Sequence, residues 1–211
     1  MNLRTSKQWF AWASTHRFLR WSRTIFLVAG ILALGYSGLI ILDSKIYQAI
    51  QIRHFQNELG STKPLVGNAV SAAYTPTALA QGVALGRIDI ARLGVSAMIM
   101  EGTDDRTLDR AVGHIRGTPM LGTNGNTAIA GHRDTFFRPL RNIRHNDEII
   151  VSTLRASTRY LVDSTQVVAP DDIQVLNNSG STTLTLVTCY PFYFLGAAPK
   201  RFIVRAHKEP G

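Results

Sequence analysis

The chain has 211 residues, of which 45% are hydrophobic and 18% charged, and its formal net charge is +9. This suits one folded domain with an appendage. Five of the nine net positive charges sit in residues 1–23 (Arg4, Lys7, Arg17, Arg20 and Arg23, with no Asp or Glu), leaving +4 for everything else. With no zinc-finger spacing and no dense basic run, that distribution argues against a nucleic-acid partner.

Residues 1–24 read as a basic cytoplasmic arm. They lead into IFLVAGILALGYSGLIIL, residues 25–42, an uncharged run bounded by Arg23 and Asp43. As a helix rising about 1.5 Å per residue, it spans roughly 27 Å, close to the thickness of a bilayer's hydrocarbon core. Trp21 lies near enough to the span to sit at the membrane interface, and the positive-inside rule places everything after Asp43 outside the cytoplasm. A cleaved signal peptide is the rival, but the apolar run is long for one and LDSKIYQAIQ has no convincing cleavage site. The expectation is therefore a single-pass signal anchor in the cell membrane with an extracytoplasmic domain. Residues 43–82 read as a membrane-proximal helix over Ser44–Gly60 and then an extended tether. The tether is either a spacer or a segment that folds back over the site.

The folded domain is expected over residues 83–211. LGRIDIARLGV alternates and then breaks step at Leu93, and SAMIMEG is a second short strand. DDRTLDRAVGH reads as a helix capped by Asp104. NTAIAGH, DEIIVSTL, RYLVDSTQVVAP, TTLTLVTC and KRFIVRAH read as strands, with a turn at Ala156–Ser157. Seven or eight short strands with one or two short helices predict an all-β barrel or sandwich.

The chain holds one cysteine, Cys189. Outside the cytoplasm a lone thiol has no internal disulfide partner, so it is either buried or kept for chemistry. Strand parity in TTLTLVTC puts Leu184 and Leu186 on one face and Thr185, Val187 and Cys189 on the other. In RFIVRA, Phe202 and Val204 oppose Arg201, Ile203 and Arg205. If these two strands form an antiparallel pair around the loop 190–200, Cys189 meets Arg201 at one end of the sheet, on the face away from the leucines. A cation there favours the thiolate and stabilises an oxyanion. Among the histidines, His132 is best placed, since it closes a short strand after Gly131.

TLVTC (Thr185–Cys189) resembles the TLxTC signature of sortases, the membrane-anchored cysteine transpeptidases of bacterial surfaces. AIAGH (Ala128–His132) resembles the strand that ends in their catalytic histidine, and Arg201 matches their third residue. GHRDTFFRPL and NIRHNDEI are most like the class D branch. The resemblance covers residues 85–207 or so. It implies a closed eight-stranded β-barrel preceded by a transmembrane helix, with the active site in a surface groove. It also implies cleavage of an LPxTG-like C-terminal sorting signal of secreted surface proteins. The acyl group would pass through a thioester on Cys189 to an amine acceptor, either a peptidoglycan precursor or a pilin lysine. His132 would serve as acid and then base, Arg201 would bind the oxyanion, and no cofactor would be needed.

Secondary candidates carry weaker readings. Arg205 is a lesser rival to Arg201. Thr188 reads as positioning the nucleophile or the substrate, or as an ordinary strand threonine. Tyr190 and Phe192, with Tyr193 and Phe194, read as a groove wall or as loop packing. His114 reads as structural or substrate-lining, and Asp134 as a weak partner for His132. Glu101, Asp104 and Asp105 look like acids at a helix start rather than ligands, so no metal is expected. The alternatives to a transpeptidase are a catalytically silent membrane-anchored barrel used for binding or assembly, and another cell-wall cysteine peptidase or transpeptidase.

Overall fold

The computed structural model describes residues 21–39, 42, 46, 48–50, 53, 79–178, 180–194 and 196–210. Residues 1–20 of the expected arm (1–24), much of the expected membrane-proximal helix (44–60) and residues 61–78 of the tether lie outside the described residues. The chain divides into two units, residues 1–45 and residues 46–211.

In the first unit, helix α1 (Trp21–Leu39) is the one helix among the described residues that is long and apolar enough to cross a membrane. Its large side chains, Ile25, Phe26, Leu32 and Leu34 among them, are exposed rather than packed.

The second unit is a closed barrel of eight strands. They are β1 (Ala84–Ile90), β2 (Val95–Glu101), β3 (Val112–His114), β4 (Asn126–Ala130), β5 (Glu148–Ser152), β6 (Ser157–Val168), β7 (Thr183–Tyr190) and β8 (Lys200–Lys208). Around the barrel the order is β1-β2-β3-β4-β7-β8-β6-β5. Only β2/β3 and β4/β7 pair in parallel. This closure decides between the barrel and the sandwich, although the short β3 pairs only Ile99–Glu101 of β2 and Ile129–Ala130 of β4.

Alternation along the strands builds the core. Ile88 and Ile90, Ala97 and Ile99, Ile149 and Val151, Tyr160 and Val162, Leu184 and Leu186, and Val204 and Ala206 all point inward and are buried. Phe137 and Leu140 join them from the connection after β4, where a short 3-10 helix spans Arg138–Asn142. Each such side chain contributes roughly 1.5–3 kcal/mol of burial. They therefore tie that connection to the core.

Three local features refine the expectations. The helix after β2, α2, is only Asp105–Arg110; Asp104 caps it as expected, accepting from the Thr107 N–H. Residues 112–114, read as the end of that helix, form β3. Gly113 makes this possible, because a Cβ there would lie 2.1 Å from the Gly102 carbonyl oxygen. Gln48, in the segment expected to be membrane-proximal, docks on the barrel unit. Its side-chain oxygen accepts from the Met98 N–H (3.0 Å) and its amide donates to the Arg110 carbonyl (2.5 Å).

Candidate active site

The site begins with the β7 sequence TLVTC, in which each residue has a distinct job. The Thr185 hydroxyl donates to Asn126 Oδ1 (2.6 Å), while Asn126 Nδ2 donates to the carbonyls of Val175 and Asn177. Leu186 is in the core. The Val187 carbonyl accepts from the Gly131 N–H (3.1 Å). The Thr188 hydroxyl donates to the Gly131 carbonyl (2.7 Å). Cys189 ends the series, half-buried and unbridged.

Register supplies the geometry around the thiol. β7 and β8 are antiparallel, and Cys189 is the direct partner of Arg201. On the other side β4 runs parallel to β7 with Ala130 opposite Val187. The two Gly131 hydrogen bonds carry that alignment one residue further, so His132 follows at the level of Cys189. Cys189 therefore lies between the His132 and Arg201 chains. Cys189 and Arg201 fall on the outer face, which also carries the half-buried Ala130 and Val187.

Both flanking residues are held by their backbone neighbourhood. The His132 carbonyl accepts from the Phe137 N–H (3.1 Å). Gly131 lies flat on the Phe137 ring; a Cβ there would be 2.7 Å from the ring's Cδ2. His132 is thus presented by a turn anchored on a fully buried aromatic. Its Nε2 lies 3.6 Å from Asp109 on α2, beyond hydrogen-bond range, and Asp109 is largely exposed. Among the described residues the carboxylate that pairs with His132 is thus Asp109, not the weak candidate Asp134, and the sequence separation of 23 residues hid it. The Arg201 Nη1 donates to the carbonyls of Ala198 (3.3 Å) and Lys200 (3.1 Å).

The remaining candidates fall away from the thiol. Thr188 and Tyr190 share the face of Leu184 and Leu186, opposite to Cys189. Thr188 is buried, and Tyr190 stacks on Phe202 with Phe192 edge-on to both. These aromatics close the end of the barrel. Of the alternatives left open, the ring contacts accord with the packing reading of Tyr190 and Phe192, and the bond to Gly131 with the positioning reading of Thr188.

Arg205 pairs in register with Thr185, four residues below the thiol. That is roughly 13 Å along the strand. Its guanidinium donates to the Val175 carbonyl (2.9 Å), and its buried Nε finds no partner among the described residues.

His114 is also structural. It is almost fully buried, with Nδ1 2.8 Å from Glu101 Oε2 and Nε2 3.1 Å from the Pro119 carbonyl oxygen. Glu101 is further engaged by Arg116. Among the described residues no three His, Cys, Asp or Glu side chains gather as a metal site.

The Sortase domain family model matches residues 88–209. Sortase D of Bacillus subtilis (strain 168) is 28% identical over 186 residues, covering 84% of this chain and 92% of the relative. Sortase A of Listeria monocytogenes serovar 1/2a is 27% identical over 109 residues, or 50% of this chain and 49% of the relative. Among solved structures, a Clostridium perfringens sortase D5 transpeptidase superimposes with a TM-score of 0.61 at 28% identity, covering 79% of this chain and 98% of its own. Sortase C-1 of Actinomyces oris does so with a TM-score of 0.55 at 31% identity, covering 60% and 73% respectively.

Proposed function

This chain belongs to the sortase family of cysteine transpeptidases, and from that premise we propose that Cys189 cleaves an LPxTG-like sorting signal and passes its acyl group to an amine. The observation that carries the proposal is the register. Cys189 faces Arg201 across β7/β8 and lies level with His132 beyond β4.

The chemistry follows from those three groups. The Cys189 thiolate attacks the carbonyl carbon of the scissile amide in the LPxTG-like signal, and the carbonyl electrons move onto oxygen. Arg201, anchored at its Nη1 by the Ala198 and Lys200 carbonyls, faces that oxyanion. The oxyanion collapses, the C–N bond breaks, and His132 protonates the departing amine. The resulting thioester conserves the bond's reactivity, so an incoming amine displaces sulfur without nucleotide energy. His132 takes the proton of that amine, an amide re-forms, and the thiolate is released. The bound peptide would lie along the outer face, over the small apolar side chains of Ala130 and Val187.

In the same reading, residues 25–42 anchor the enzyme in the cell membrane with the basic arm (residues 1–24) in the cytoplasm. Residues 43–82 connect the anchor to the catalytic domain (residues 83–211) on the outer side. Secreted proteins bearing the sorting signal are the acyl donors, and a peptidoglycan precursor amine or a pilin lysine is the acceptor.

The test is a library of peptides with varied sorting motifs, incubated with the full chain with and without amine acceptors and read by mass spectrometry. The expected result is cleavage and amide transfer for one motif class. Cys189→Ala and His132→Ala should abolish both, and Arg201→Ala should lose far more activity than Arg205→Ala. Full turnover by the Cys189→Ala protein would overturn the proposal.

A further inference from the structure

We propose that Arg133, the residue after His132, is a positioning residue that holds the β7–β8 loop (residues 191–199) and through it sets the orientation of Arg201. The inference rests on the catalytic reading above for its effect on turnover, but its structural half stands by itself. The Arg133 guanidinium reaches across the site to three carbonyls of that loop. It donates to Pro191 (3.2 Å), Phe194 (2.7 Å) and Gly196 (2.9 Å). Its Cζ also lies 5.9 Å from the centroid of the Phe194 ring.

Besides Arg133, the loop is held by the packing of Phe192 against the barrel core and by Arg141 at Tyr193. Among the described residues, its internal backbone bonding is a single long contact, from the Phe194 N–H to the Pro191 carbonyl (3.4 Å). Three carbonyl oxygens turned toward one point repel each other unless a multivalent donor sits between them, and a planar guanidinium fits that role in a way an ammonium does not. The far end of the same loop supplies the Ala198 carbonyl, which together with the Lys200 carbonyl at the start of β8 holds the Arg201 side chain. Arg133 thus links the backbone that carries His132 to the backbone that carries Arg201, bracketing Cys189 from both sides. At the loop's outer edge, Arg141 donates to the Tyr193 hydroxyl and lies against its ring.

Arg133→Gln and Arg133→Lys separate this role from general stability. The first measurement is amide hydrogen exchange of the full chain in detergent. Residues 192–198 should exchange about tenfold faster in Arg133→Gln and at an intermediate rate in Arg133→Lys, with the barrel strands unchanged. Unchanged loop exchange overturns the proposal whether or not any peptide is turned over.

The second measurement is single-turnover acylation by an LPxTG-like peptide that the wild-type chain cleaves. Arg133→Gln should slow acylation roughly 10- to 100-fold, with peptide affinity changed far less. On an Arg201→Ala background, the same substitution should cost less than about threefold, because the group it positions is already gone. A full repeat of the loss on that background would show that Arg133 does not act through Arg201. Failure of the wild-type chain to acylate would instead count against the catalytic reading, while the exchange result still decides the loop's dependence on Arg133.

Discussion

Thr188→Val tests how the strand that carries the nucleophile is locked to the strand that carries the histidine. The substitution preserves shape and removes one hydroxyl. Thr188 is 2% exposed, and its hydroxyl donates to the Gly131 carbonyl at 2.7 Å. Losing a hydrogen bond of this kind costs about 0.5–1.5 kcal/mol, rising toward about 3 when the buried acceptor is left unpaired. The expected destabilisation is therefore about 1–3 kcal/mol, or a fall in Tm of roughly 4–12 °C for a domain of this size.

The effect on catalysis should exceed that on stability. The Gly131 carbonyl precedes His132 directly, and a shift on the order of 1 Å between reacting groups can cost about a hundredfold in rate. Thermal denaturation of the full chain and peptide acylation rates, both below the variant's Tm, would measure the two effects separately. Thr188→Ser, which keeps the donor, should stay close to wild type in rate. If Thr188→Val acylates at the wild-type rate while Thr188→Ser is impaired, the hydroxyl does not hold this alignment and the reasoning fails.

Two other substitutions probe the supporting structure. Gly131→Ala places a methyl 2.7 Å from the buried Phe137 ring; it should lower Tm and cut acylation at least tenfold, with overpacking of this kind costing about 1–3 kcal/mol. Normal activity in that variant would show that the ring can yield. Asp147 receives the Arg92 guanidinium and the Arg144 N–H (2.7 Å). The hydrogen bond from Arg92 is the main cause holding its carboxyl below the usual value of 3.8. A carboxyl whose pKa is lowered by folding stabilises the fold at pH above its unfolded value, and that contribution is lost as pH falls through the folded value. The Tm gap between wild type and Asp147→Asn should therefore persist from pH 7 to about pH 4 and close below that; a gap independent of pH would contradict the pairing.

The meeting of Cys189 and Arg201 was legible in the sequence because it depends only on strand parity and a short antiparallel connection. The barrel's closure was legible only through the family resemblance and not from strand patterning, since it is decided by β3. That strand is three residues long and centred on Gly113, and it follows α2 without a break in apolar spacing, so it reads as more helix. The same parity that turns Cys189 outward turns Thr188 and Tyr190 inward. The aromatic run after the thiol obscured this, because Phe202, the ring on which Tyr190 stacks, lies on another strand. Arg205 shares a face with Arg201, but distance along the strand and the Val175 carbonyl remove it from the site. Arg133 left no local signal. Its partners are 58–63 positions away and are backbone carbonyls, which carry no side-chain identity to read.

The central claim is that the sulfur of Cys189 becomes acylated. Intact-mass analysis of the full chain, quenched in acid during turnover of a cleavable sorting peptide, measures this directly. The account predicts an adduct with the mass of the peptide's N-terminal fragment, mapped to Cys189, discharged by an added amine and absent from Cys189→Ala. Cleavage of the peptide with no adduct on Cys189, or with an adduct on another residue, would contradict it.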